Sequence, residues 1–497
     1  MNVAAVWFKR DLRLRDHAPL RAALQNHDRV VLFYVFESEY WDLPFTSFRQ
    51  WSFFYDCLLS LEEEIVSKGG LLTVFTCSAQ TALQALHGRF CLQALYAHEE
   101  TGGEWTFQRD IAVRRWCQKE RIPFRESPTN GVVRGLRSRD DWAKIHHKRM
   151  QKPLIEAPED LTQARLFFPS DPLPLPESFP DYFPEEKTQK GGRRQAQVLL
   201  QSFCNKRAER YLQDIANPSA WDSSSRLSAF LSVGALSVKE VFQEIARAKN
   251  NTNSSWFRRA LAAFSSRLHW RCHFVQKLED DPSIEHTAMN RACDTLRSRE
   301  DQEVRLRAWK EGKTGYPLVD ACMRALRIYG WVPFRMRAMV MSFASYDLWL
   351  DWRDTSAILG ALFTDYEPGI HHAQVQMQSG TTGINALRMY DPTKQAKTHD
   401  PQGHFIRMHI PELRSFPTEW IHEPFSLPPL VRLAENISMD SLYASPIVEH
   451  KTAIRRARKI FSSILYTGEF QKEARRVYKK HGSRKKWREN KGKAEEN

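Results

Sequence analysis

Apolar residues in the first hundred positions gather into runs of strand length: Val3–Phe8, Val30–Phe36, Leu71–Thr76 and Leu92–Tyr96. Between these runs the pattern changes to a helical period. Over Phe48–Val66 the bulky residues Trp51, Phe54, Leu58, Leu61 and Ile65 recur on one face. Strands alternating with helices predict a doubly wound parallel sheet, so residues 1–130 are expected to form an α/β domain. No GxGxxG follows the first strand, which excludes the dinucleotide fingerprint.

From Leu161 to Gly192 the periodicity disappears and six prolines appear, which predicts an extended connection. The whole interdomain linker is expected over 131–194. Beyond it, helical patterns cover Gln195–Tyr211, Val238–Lys249, Phe257–Leu278, Tyr316–Tyr329 and Phe334–Leu350. Residues 195–446 therefore read as an all-α domain.

Length supports this division, since 497 residues exceed a single core. The net charge of +14 suggests a polyanionic partner, but it is unevenly spread. Residues 447–497 hold sixteen Lys and Arg against six Asp and Glu. That block is expected to begin as an amphipathic helix and end as a disordered basic arm, adding salt-sensitive, sequence-independent affinity for a polyanion. No window approaches eighteen apolar residues, and the chain turns charged by Lys9, so neither a membrane span nor a secretory leader is expected. Eight scattered cysteines without a CxxC pair read as thiols of a reducing, cytoplasmic compartment.

Several catalytic motifs fail. Gly312-Lys313-Thr314 lacks the glycine a phosphate loop needs five residues earlier, where Arg307 stands. The adjacent pairs His146-His147 and His371-His372 lack metal-ligand spacing, and no metal is expected. Other segments stand out in the helical half. Trp221–Ser228 (WDSSSRLS) offers three serines and an arginine before an apolar helix, more than helix capping requires, which favours phosphate binding. Arg267, Trp270 and Arg271 share a helix face and suit a stacked ring with phosphate nearby. Then come Trp309–Arg324 (WKEGKTGYPLVDACMR), Gly330–Arg337 (GWVPFRMR), Asp351-Trp352-Arg353, Thr364–His371 and Met377–Asn385.

In this order, with VWFKRDLRLRDHAPL at the front and RMYDPTKQAKTHDPQGHFIRMHIPEL and Ser445–Lys451 further on, the segments resemble the photolyase/cryptochrome flavoproteins nearly end to end. The resemblance implies an α/β antenna domain, a long linker and a helical domain that holds FAD. By that resemblance Tyr211, Ser224, Ser225, Arg226, Leu227 and Ser228 hold the FAD phosphates. Phe264 and Arg271 fall on further FAD contacts. Arg337 and Asp365 match the paired charges beside the flavin ring, and Glu367 replaces a usual Asp. Trp270 matches a ring that stacks on a flipped pyrimidine dimer, and Arg335 a retained cation.

Departures from the family pattern are equally specific. The Asn that faces the reactive flavin nitrogen falls on His371, or on Gly369 if the loop deletion is placed earlier. A histidine there is expected to change protonation with pH. Of the three-tryptophan electron chain, Trp352 matches the middle member. The flavin-side member falls on Val375 or Ala373, and the surface member near Arg299; Trp349, Trp331, Tyr366 and Tyr390 are candidate substitutes. In the lesion set, Arg267 stands for an acid, Met377 (or Val375) for the second stacking Trp, and Phe334 for an Asn. No Cys follows Cys322, which excludes the iron–sulfur branch.

The expected function is a blue-light-driven DNA photolyase in which reduced FAD donates an electron to a pyrimidine dimer. The alternatives are a cryptochrome-type photoreceptor without repair, and a flavin-free DNA-binding scaffold. The expected partner is DNA carrying UV photoproducts, cyclobutane or (6-4), with no membrane. The chain is expected to act as a monomer, nucleoid-associated if bacterial. A second chromophore of folate or deazaflavin type is left open. Trp105 and Thr106 lie where some relatives contact a folate, and they do not match that pattern.

Overall fold

The computed structural model describes residues 2–434, 443 and 445–482. Five parallel strands, β1 (Val3–Phe8), β2 (Arg29–Phe36), β3 (Leu72–Thr76), β4 (Ala94–His98) and β5 (Phe124–Ser127), form one sheet in the order β3-β2-β1-β4-β5. The alternation within β1 shows why a doubly wound sheet results. Val3, Ala5 and Trp7 face a layer holding Leu83, Leu86 and Trp116, from helices α3 (Ala79–Phe90) and α4 (Glu104–Lys119). Ala4, Val6 and Phe8 face the other way, toward Leu20 of α1 (Ala18–Asn26) and Trp51, Leu58 and Leu61 of α2 (Phe48–Ser67). Both faces are buried, as apolar runs in parallel sheets require.

β4 begins two residues later than its apolar run suggests, and β5 was not foreseen. Its sequence, FRES, is half charged and pairs on one side only, so no hydrophobic signal marks it.

The connection over 131–194 is not wholly extended. It contains helix α5 (Trp142–Gln151), which buries Trp142, His146 and Met150. The proline-rich part then runs along the domain surfaces and is tied at intervals. Leu161 N–H donates to Lys68 O, the Trp51 indole N–H to Pro174 O, and Lys187 N–H to Ile328 O.

The remaining described residues are helical or irregular. Those that frame the site are α6 (Arg193–Asn205), α7 (Ser228–Ser232), α8 (Val238–Asn251), α9 (Ser255–Asp280), α10 (Pro317–Tyr329), α11 (Phe334–Ser342), α12 (Trp352–Leu362) and α13 (Pro368–Ser379). The expected helix Phe334–Leu350 stops early. After Ser342 it loosens into a π turn over Phe343–Asp347, and Trp349 takes a left-handed φ of 53°. Arg297 fastens this break by donating to Ser345 O and lying 4.7 Å from the Trp349 ring centre.

The basic C-terminal block holds two helices, α14 (His450–Leu465) and α15 (Gly468–His481), where an arm was expected after the first. Ala457, Phe461, Phe470 and Val477 bury their apolar faces. The expected disordered arm otherwise falls on 483–497, outside the described residues. Among the described residues no helix is long and apolar enough to cross a membrane.

Candidate functional site

The Ser224–Ser228 segment owes its shape to an arginine that sequence reasoning missed. The Arg207 guanidinium donates to the carbonyls of Asp222, Ser224 and Ser225, turning that side of the backbone toward itself. Arg226 then takes a left-handed φ of 58° as the chain turns into α7. Its guanidinium lies 4.1 Å from the Trp331 ring centre and 5.4 Å from that of Trp221. Nη1 of Arg226 is buried without a hydrogen-bond partner. Burial is the main cause that lowers the Arg226 pKa to about 10, even though Asp365 pulls it up. A desolvated cation of this kind has the chemistry of an anion site.

Beside it, Arg337 and Asp365 form a bidentate pair, Nη1 to Oδ1 at 2.9 Å and Nη2 to Oδ2 at 3.0 Å. Phe363 lies under the guanidinium at 4.3 Å. Burial opposes ionisation of Asp365, yet the Arg337 charge and hydrogen bonds, with Ser228, hold its pKa below the usual range. Tyr211 stands edge-on to Phe264, ring centres 5.9 Å apart, and both pack with Phe203 of α6. Leu227 is fully buried beneath the serine segment. Arg267 reaches Tyr211 and partly offsets the burial that raises the tyrosine pKa. Arg267, expected at the substrate, thus adjoins a tyrosine expected at the cofactor.

Arg271 and Glu367 lie at the seam between the two halves. Glu367 Oε2 accepts from Arg271 at 2.5 Å and from Arg10, in the loop after β1, at 2.8 Å. Burial works against the carboxylate, but the two arginines hold its pKa below the usual range. Nothing in the local sequence around Arg10 marks it as a partner 357 positions away.

His371 is buried, and its Nε2 donates to Ser356 O of α12 at 2.9 Å. Burial lowers its pKa to about 4, which corrects the expectation of a pH-dependent charge near neutrality. We predict that replacing His371 with Asn leaves the pH profile of the bound-cofactor absorbance between pH 6 and 8 unchanged, checked by titration. The alternative position, Gly369, is taken by helix packing: a Cβ there would sit 2.5 Å from Val275 Cα of α9. α9 and α13 therefore cross in close contact, which brings the two residue sets together. Trp352 opens α12, 1% exposed, with Arg353 over its ring at 4.7 Å.

The residues assigned to substrate divide. Trp270 is 41% exposed on α9, next to Phe274 and His273. Arg335 lies over Tyr390 at 5.6 Å, and its neighbour Phe334 is half exposed. Met377 is buried in α13.

Two further features escaped the sequence reading. Asp11, His17 and His98 form a buried cluster of metal-ligating types. The Leu20 N–H donates to His17 Nδ1, so His17 carries its proton on Nε2 and donates it to Asp11, which also accepts from His98 Nδ1 at 2.7 Å. The cluster satisfies itself by hydrogen bonding. The second feature is a cleft with about 680 Å³ of empty space, part of it open to solvent, at the carboxyl ends of β1 and β2. Trp7, Tyr34, Tyr40, Trp41 and Phe54 line it with Lys9, Arg10 and Arg109, and Thr364 and Tyr366 close it. The turn after Phe363 thus sends Thr364 and Tyr366 to this cleft and Asp365 to Arg337. Carboxyl ends of parallel strands are where ligands of such sheets bind, which is the signal that was available.

Comparison with known proteins agrees with this arrangement. The family model described as DNA photolyase matches residues 4–149, and that for the FAD binding domain of DNA photolyase matches 264–463. The deoxyribodipyrimidine photo-lyase of Alkalihalophilus pseudofirmus is 26% identical, covering 93% of this chain and 98% of that protein. Cryptochrome DASH of Synechocystis is also 26% identical, over 92% of this chain and 97% of its own length. The crystal structure of a class III photolyase from Agrobacterium tumefaciens superposes with a TM-score of 0.81 at 23% identity, covering 94% of this chain and 98% of that one.

Proposed function

The chain belongs to the photolyase/cryptochrome family and carries its FAD-binding domain, and from that premise we propose that it is a light-driven DNA photolyase. The observation that carries the reading is the unpartnered, buried Arg226 nitrogen close to the bidentate Arg337–Asp365 pair. Ser224, Ser225, Arg226 and Ser228 would hold the FAD phosphates, with Tyr211, Leu227 and Phe264 packing around them. Arg337 and Asp365 would flank the ring. Bound FAD supplies blue-light absorption and the one-electron chemistry that splits a pyrimidine dimer. The protein's own residues do the rest. Arg226 neutralises phosphate charge, the Arg337–Asp365 pair holds a fixed dipole beside the ring, and exposed Trp270 offers a stacking face for a flipped lesion. The aromatic cleft, whose cations Lys9, Arg10 and Arg109 are paired with Asp110, Glu367 and Glu100, suits a second, flat chromophore of flavin or deazaflavin type. Cytoplasmic DNA carrying UV photoproducts is the proposed partner.

One observation favours a cryptochrome-type receptor. Of the expected lesion contacts, Met377 is buried and Arg267 is drawn to Tyr211. Illuminating the reduced, FAD-loaded protein with dimer-containing single- and double-stranded oligonucleotides decides between them. Light-dependent dimer loss is expected. A yellow protein that leaves the dimers intact is a receptor, and a protein that takes up no FAD overturns both readings.

Replacing Trp352 with Phe is expected to change cofactor photoreduction by external donors while repair by pre-reduced protein persists. The ring is sealed from solvent, so it can relay electrons within the protein but cannot touch DNA. Equal loss of both activities refutes that role.

A further inference from the structure

The two C-terminal helices divide sharply into a buried apolar face and a cationic one. On α14, Ala453, Ile454, Ala457 and Phe461 face the core. Lys451, Arg455, Arg458 and Lys459 lie on the opposite, exposed side at i, i+4, i+7 and i+8. On α15, Phe470 and Val477 are buried, and Lys472, Arg475 and Lys479 line the outer face at i, i+3 and i+7. Of the three carboxylates on these helices or at their caps, Glu469 lies exposed at the start of α15 and the other two are engaged. Glu449 caps α14 by accepting from the N–H groups of Lys451 and Thr452, and Glu473 pairs with Arg476. Ten of the sixteen basic residues in the last fifty-one positions sit on these two folded helices.

We propose that the outer faces of α14 and α15 form a second, lesion-independent binding surface for the phosphate backbone of duplex DNA. Geometry favours this ligand. The α14 stripe from Lys451 to Lys459 is about 12 Å long at 1.5 Å per residue. Duplex DNA presents a negative charge about every 1.7 Å of axis, so several phosphates lie within reach of it. α15 docks at the far end of the α9 face that presents Trp270. Phe274 lies next to Trp270 on α9, and it joins Leu278 and Val477 in one apolar cluster. Arg476 and Lys480 reach Asp281 just beyond α9. Trp270 is eleven residues, about 16 Å, up that helix. DNA engaged at Trp270 and DNA resting on α15 can therefore be one duplex. An anionic membrane fits less well, because both helices have already buried the apolar faces they would insert.

This inference rests on the DNA reading above but not on FAD or on light. Its test is binding of the full chain to undamaged duplex in the dark, by fluorescence anisotropy at several salt concentrations. The quadruple variant Lys451→Gln, Arg455→Gln, Arg458→Gln, Lys459→Gln is expected to reduce the slope of log K against log salt by about 2–4. Lys472→Gln with Arg475→Gln is expected to reduce it by about 1–2. Light-dependent dimer loss at saturating oligonucleotide and the melting temperature stay at wild-type values in both. Unchanged salt slopes in both variants overturn the proposal, as does loss of binding to phosphatidylserine vesicles with DNA binding intact. A protein that binds undamaged duplex through these helices yet repairs nothing upholds this surface and rejects the photolyase reading, so the two failures are distinguishable.

Discussion

Asp365→Ala is expected to yield a colourless protein of lowered stability. The carboxylate is buried, and both its oxygens accept from Arg337. Removing it leaves a mostly buried guanidinium with no counter-charge. For fully buried pairs that costs about 3–5 kcal/mol, and the low end applies here because Arg337 keeps about a fifth of its side-chain surface exposed. Urea denaturation of the apo-protein measures this loss, and the ratio of flavin to protein absorbance after gel filtration measures retention. Asp365→Asn preserves the shape and should lose less stability while still weakening flavin retention.

The pH dependence follows from the direction of the shift. The folded-state pKa of Asp365 lies below its ordinary value of 3.8. Its contribution is thus fully present well above that value and is lost as pH falls through the lower, folded pKa. The stability gap between the wild type and Asp365→Asn should be constant well above the ordinary carboxylate value and narrow as pH falls through and below it. A gap that widens on acidification refutes the assignment of the charge.

The second large effect concerns the seam between the two halves. Gly234 has a φ of +71°, and a Cβ there would lie 2.3 Å from Arg10 O and 2.6 Å from Asp11 Cα. Around it the backbones are joined directly. Leu12 N–H donates to Val233 O, Arg13 Nη1 to Gly234 O, and Arg10 Nε to Ser232 O. Gly234→Ala adds left-handed strain of roughly 1–2 kcal/mol and a clash with main chain that no side-chain rotation relieves. We expect a total loss above about 3 kcal/mol, faster proteolysis within the proline-rich linker, and weaker flavin retention, since Arg10 can no longer hold Glu367. Gly88→Ala is the control. It lies inside α3 with nothing within 4 Å of the added carbon. That substitution should stabilise the protein by about 0.5–1 kcal/mol. If the two substitutions have similar effects, the seam does not work as described.

Much of the fold was legible because it is local. β1, β2 and β3 and helices α2 and α9 lie within a few residues of their hydrophobic periods, since each buries one face or both against a neighbouring layer. The Ser224–Ser228 segment and the Arg337–Asp365 pair were legible as a resemblance, carried by side chains in a fixed order. Elements without a hydrophobic signature were not. β5 is half charged, the linker helix α5 carries only three buried residues, and the helix after Phe334 breaks where Arg297, nearly fifty residues earlier, fastens its end.

Chemistry divided in the same way. Residue types in a fixed order marked, by resemblance, the Ser224–Ser228 segment and the Arg337–Asp365 pair as candidates. Only the tertiary structure decided what each group experiences. Burial, which no local window reports, makes His371 neutral at physiological pH and leaves Arg226 Nη1 without a hydrogen-bond partner. Arg10 and Arg207 are indistinguishable from surface arginines in sequence, and Arg271, marked there as a cofactor contact, gives no sign of Glu367 as its partner. They become a clamp on Glu367 and a brace for the serine segment because the chain returns to them from far away. The basic C-terminus shows the division most plainly. Composition determined that its charge is there, and packing of Phe461, Phe470 and Val477 decided that most of it is displayed on rigid helices, because apolar faces that bury themselves turn the cations outward.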